Sequence, residues 1–165
     1  MSFKSPASLP SGPSSILRTG AYTKKDTSGT AQRLEGPEGK DAGDLKLTYP
    51  MRGQVVKFFG YNEGVMNNGL DISNKAGTDV TAPGEGLIVY CGERGAYGFV
   101  VDIDHGNGFV SRLTHLSNVQ VEMNQRVFAG DLIGSLAEDE DGGKPVFHYE
   151  LIIDGIPYNP LYYID

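Results

Sequence analysis

The stretch GFVVDIDHGNGFVSRLTHLS, residues 98–117, decides the fold. Two arms rich in β-branched, aromatic and other apolar residues flank Gly106-Asn107-Gly108, three residues that accept the positive φ of a tight turn. The segment therefore reads as a β-hairpin. Working outward, TDVTAPGEGLIVYCG (78–92) reads as strand, Pro-Gly turn, strand. GQVVKFFG (53–60) is a strand closed by glycine, and VFAGDLIGSL (127–136) and PVFHYELIIDG (145–155) supply two more. There is no long amphipathic helical pattern; a short turn within THLSNV (114–119) is the one helical feature expected. The class is all-β: a compact antiparallel β-sheet domain over 46–165, preceded by an extended N-terminal arm.

Composition bounds the rest. The chain has 165 residues, with 14 basic and 21 acidic side chains and a net charge of −7. That length suits one domain with a tail, and the acidic balance leaves no basic stripe for a nucleic-acid backbone. Twenty-three glycines, nine prolines and no tryptophan favour short strands joined by tight turns. The lone Cys91 excludes an internal disulfide and a thiolate zinc cluster, and its place in GLIVYC predicts a buried structural thiol. No apolar run approaches the ~18–20 residues of a membrane span. Residues 1–45 are rich in Ser, Pro, Gly, Thr and Lys, with too little apolar surface to offset ordering entropy, so an extended or disordered arm is expected. MSFKSPASLPSGPSS lacks the apolar core of a secretory signal, so the expectation is a protein made without export by that route.

Three histidines are present. His105 lies at the hairpin turn and is expected to be a surface or hydrogen-bonding residue. His115 closes a strand in SRLTHLS. Within PVFHYE, period-two alternation puts Val146, His148 and Glu150 on one face.

Several motifs recur in order from about Gly53 to the C-terminus: FG with NNGLDIS, GTDVTAPGEGLIVYCG, AYGFVVDIDHGNGF, THLS, VFAGDLIG, FHYE and GIPYNPLYYI. Together they resemble the LytM/lysostaphin-like zinc endopeptidases, which cut peptide cross-links in bacterial peptidoglycan and have a duplicated-hybrid β fold. The resemblance implies a zinc held by a histidine, an aspartate four residues later and the second histidine of an H-x-H strand. It implies two catalytic histidines, at the first position of H-x-H and in the HLS motif. Asp71 and His148 match two ligands and His115 matches one catalytic histidine. Asn67 stands at the other ligand position and Val146 at the other catalytic one. A neutral amide is a poor substitute for imidazole, and valine neither transfers a proton nor stabilises an oxyanion.

The expectation is a degenerate, non-catalytic member with a vestigial groove formed by Asn67, Asp71, His115, Val146 and His148. Its remaining polar residues are expected to hydrogen-bond to one another. No metal is expected; if zinc binds weakly, Asp71 and His148 hold it. The loop LAEDEDGGKPVFH (136–148) carries Glu138, Asp139, Glu140 and Asp141 in a row, either as a solvated acidic loop or as a contact surface. The setting expected is a phage tail, baseplate or similar injection assembly, with protein partners met through the N-terminal arm and localisation in the virion. Peptidoglycan is a further expected ligand; nucleic acid is not. The alternatives are an amidase-activator type of hydrolase regulator in the periplasm or envelope, reached if a signal was trimmed, and a residual endopeptidase.

Overall fold

The computed structural model describes residues 40–165. Its strands in chain order are β1 (Gln54–Lys57), β2 (Gly60–Asn62), β3 (Val65–Asn67), β4 (Leu70–Ser73), β5 (Asp79–Thr81) and β6 (Gly86–Glu93). They continue with β7 (Phe99–Gly106), β8 (Phe109–Ser117), β9 (Arg126–Val127), β10 (Leu132–Leu136), β11 (Val146–Ile153) and β12 (Ile156–Tyr158). The only helical pieces among the described residues are single 3₁₀ turns at Gly95–Tyr97 and Pro160–Tyr162. The fold is all-β and antiparallel throughout its named pairs, as the sequence predicts.

The main sheet runs β1-β4-β11-β8-β7-β6-β9, with β10 joining β5 to the end of β8 and β12 pairing β11. β2 and β3 form a separate hairpin beside it. The β7–β8 hairpin is the predicted one. Gly106 pairs with Phe109 around Asn107 and Gly108, whose φ values are 56° and 86°. Alternation buries Phe147, Tyr149, Leu151 and Ile153 of β11 against Leu70, Ile72, Val101, Ile103 and Leu113. The even-numbered residues of β11 are left on the opposite face.

The turn expected in THLSNV is not formed. Residues 114–117 continue β8, because Leu116 and Ser117 pair with Leu136 and Ser135 of β10. Between the pairs Val101↔Leu113 and Phe99↔Leu116, β8 carries two residues opposite one of β7. This bulge absorbs the local bend, with His115 at φ 59°. Tertiary pairing overrode a local turn signal.

Of the arm expected over residues 1–45, residues 1–39 lie outside the described residues. In the remainder, Ala42 and Leu45 pack against the core. Leu47 and Met51 are buried within it, and Leu47 bridges to Ile164 at the other end of the chain. Cys91 is partly buried, and its thiol donates to the Val121 carbonyl at 3.6 Å. Burial, helped by the charge of Glu122, pushes that thiol pKa up, which suits an inert packing role. No helix among the described residues is long and apolar enough to cross a membrane.

Candidate functional site

β4 and β11 pair with His148 directly opposite Asp71. Side chains opposite one another on an antiparallel pair share a face, so the register alone brings this imidazole and carboxylate together. His148 Nδ1 meets Asp71 Oδ1 at 2.5 Å. Asn67 closes β3 and reaches the same place. Its amide nitrogen donates to the Phe58 carbonyl at 3.2 Å and the Gly69 carbonyl at 2.9 Å, and faces Asp71 Oδ1 at 3.5 Å. Gly69 makes this approach possible, since a Cβ there would run into the Tyr149 carbonyl oxygen.

The other nitrogen of His148 is also taken. Nε2 lies 2.9 Å from Glu150 Oε2, two residues along the same face of β11. Glu150 is 3% exposed, and two further groups make that burial tolerable. Tyr97 donates its hydroxyl to Glu150 Oε2 at 2.7 Å, and Arg112 reaches Oε1 at 3.4 Å. Arg112 also grips Asp102 with two bonds of 3.0 and 3.1 Å. The Tyr97 ring stacks on His148, with centroids 5.7 Å apart.

Burial opposes charge on His148, but its hydrogen bonds to the Asp71 and Glu150 carboxylates hold its pKa up at about 9. The ring is therefore an imidazolium at neutral pH, donating to a carboxylate from each nitrogen. An NMR titration of the His148 ring protons should give a pKa near 9; a value at or below 6.5 would break this picture.

His115 is held by its neighbour Thr114, within electrostatic reach of that pair. The Thr114 hydroxyl donates to the His148 carbonyl at 2.8 Å, so its lone pair accepts from His115 Nδ1–H at 2.7 Å. That leaves the Nε2 lone pair of His115 as an acceptor. Burial and the charge on His148 both push the pKa of His115 down, keeping it neutral. His115 and Val146 line a cavity of about 380 Å³ whose rim is the acidic loop Glu138–Asp141 together with Glu93 and Lys144.

A zinc ion of the kind the resemblance implies needs three protein donors converging with lone pairs. Asp71 supplies one, and His148 supplies a second only on giving up the proton that it holds between Asp71 and Glu150. At the third position two carbonyl acceptors fix the orientation of the Asn67 amide, so its N–H₂ rather than its oxygen lies toward Asp71. Among the described residues no group of three or more His, Cys, Asp or Glu is placed to hold a metal ion. The donor set does not fit a three-ligand zinc centre.

Thus Asn67, Asp71 and His148 come together, while His115 and Val146 face the adjoining groove. The sequence reading missed Tyr97, Arg112 and Thr114 as members of the site. The only available signal was Glu150, placed two residues beyond His148 on the same strand face.

The model of Peptidase family M23 matches residues 65–160. The chain is 32% identical over 112 residues to the cell division protein DipM of Caulobacter vibrioides, covering 67% of this chain and 18% of that protein. It is 32% identical over 118 residues to the murein hydrolase activator NlpD of Escherichia coli, covering 70% of this chain and 30% of that one. A solved structure described as a putative peptidase M23 from Pseudomonas aeruginosa superposes with a TM-score of 0.66 at 28% identity, over 83% of this chain and 57% of the other. The chain spans less than a third of either of these two curated relatives.

Proposed function

The chain belongs to peptidase family M23, and from that premise we propose that its domain is non-catalytic and acts by binding, as a module that engages peptidoglycan or a cell-wall hydrolase. The observation that carries this reading is the Asn67 amide, turned nitrogen-first toward Asp71 where the family has a ligand histidine. Val146 adds to it, because a valine at the groove has no proton to give or take. The hydrolase-regulator reading is favoured over a tail assembly because a relative covering 70% of this chain is named a murein hydrolase activator. The tail setting was drawn from the arm over residues 1–45, most of which lies outside the described residues.

Elemental mass spectrometry on chain purified without chelator should find zinc far below one per molecule. About one zinc per chain would overturn the reading. In a companion assay, purified sacculi are digested by a murein amidase with and without the chain. The chain alone should release no soluble fragments, and adding it should raise the amidase rate or co-sediment the chain with sacculi. Release of cross-link cleavage products by the chain alone would make it an enzyme.

A further inference from the structure

A second and larger cavity, of about 760 Å³, opens at the turn end of β7 and β8, remote in sequence from the groove loop. One of its walls is Phe128, an aromatic ring left 53% exposed. That ring is not on a loose loop. The Phe128 N–H donates to the Asp131 carboxylate at 2.8 Å, and the Asp131 N–H donates back to the Phe128 carbonyl at 2.9 Å. The closed turn fixes the backbone that carries the ring.

The facing wall is equally fixed. His105 sits within β7 rather than in the turn, with Nδ1 on the Glu85 carbonyl and Nε2 on the Ser111 hydroxyl, both at 2.7 Å. Ser111 in turn bonds the buried Tyr149 hydroxyl at 2.9 Å. A pocket whose walls are ordered beforehand spends little of its binding free energy on ordering them.

The charged groups in the cavity come in both signs. Glu85 and Arg126 pair with each other at 3.1 Å, and Asp44, Asp104 and Lys46 leave one carboxylate in excess. With both signs present and a net excess of one carboxylate, the site has no positive field to hold an anion and only a weak one for a cation. It does have donors and acceptors interspersed around an apolar floor that includes Leu45 and Phe109. Hydroxyl groups, which both donate and accept, match such a rim, and the C–H face of a pyranose ring packs on an exposed aromatic side chain.

We propose that this cavity is a saccharide site, which binds an uncharged, hydroxyl-rich oligosaccharide with a sugar ring seated on Phe128. The site is separate from the groove and does not depend on whether the groove is catalytic.

The test titrates the full chain, by amide NMR, with chitotetraose and separately with maltotetraose. Saturable shifts at residues 85–87, 104–107 and 126–129 are expected with chitotetraose. A response to maltotetraose as well shows that hydroxyls suffice; a response to chitotetraose alone assigns the N-acetyl groups as part of the recognised chemistry. Phe128→Ala should weaken binding by ~10-fold, the scale of a lost aromatic contact. Phe128→Tyr should restore binding, and Glu140→Gln in the groove should leave it unchanged. No saturable shift with either sugar overturns the proposal, as do shifts confined to residues 138–146, or a wild-type affinity in a folded Phe128→Ala. None of these three results touches the zinc content, the amidase rate or the release of cross-link products, which decide the groove.

Discussion

Asn67→His should raise zinc affinity by well over ~100-fold, since even outer-shell partners are worth ~10–100-fold and this change adds a direct ligand. The side chain at position 67 already reaches the Asp71 carboxylate, 3.5 Å from its Oδ1. An imidazole there presents a lone pair where the amide presents N–H. The change has a cost, because the two bonds from Asn67 to the Phe58 and Gly69 carbonyls are lost. Each such bond contributes about 1 kcal/mol, so apo Asn67→His should be slightly less stable than the parent, and zinc should recover the loss. Competition against a chelating dye measures the affinity, and thermal unfolding with and without zinc measures the linkage. An affinity within a few-fold of the parent chain would mean that position 67 does not face the Asp71–His148 pair in solution.

The second large effect is expected at Glu150. Glu150→Ala should lower the unfolding free energy by about 3–5 kcal/mol, the usual cost of removing one partner from a buried charge network. The carboxylate accepts from His148, Tyr97 and Arg112 at once, so its loss strands a buried imidazolium nitrogen, a phenol and one arm of a guanidinium. Glu150→Gln, which keeps an acceptor oxygen but no charge, should fall between the two. The pH dependence follows from two opposite shifts. Burial pushes the Glu150 pKa up, but the hydrogen bonds from His148 and Tyr97 outweigh it and hold the pKa below the usual 4.5. A depressed carboxylate stabilises above its unfolded pKa and loses that stabilisation as pH falls through the folded one. His148 is raised from 6.5 to about 9, so its contribution is complete below 6.5 and is lost as pH rises through about 9. The stability gap between parent and Glu150→Ala should be widest between pH 4.5 and 6.5 and narrow on both sides. Urea unfolding across that range measures it; a gap under 1 kcal/mol, or one that widens toward pH 9, would show that the network does not carry the site.

Much of the architecture was legible because it is local. The β7–β8 hairpin follows from Gly106-Asn107-Gly108 between two β-rich arms, and alternation along β11 separates the core residues Phe147 and Tyr149 from His148 and Glu150. Residue identity at positions 67 and 146, set beside the ordered motifs, already pointed to an altered site. Where the reading failed, a distant strand had the last word. THLSNV looks like a turn until β10 pairs with Leu116 and Ser117 and a bulge takes up the bend at His115.

The charge network was beyond sequence reach for the same reason. Tyr97 and Arg112 stand 53 and 38 residues from Glu150, and no local pattern links them. Strand register sets Asp71 opposite His148 and Glu150 opposite Arg112. The direction of the Asn67 amide is likewise decided by two carbonyls that only the folded loop supplies. The amino-acid sequence by itself determined the strands, the main hairpin and the chemical types at the site, because side-chain periodicity and turn chemistry act within a few residues. The tertiary structure alone decided which of those groups share protons and charge, because hydrogen bonds require atoms within about 3 Å and only long-range pairing brings them there.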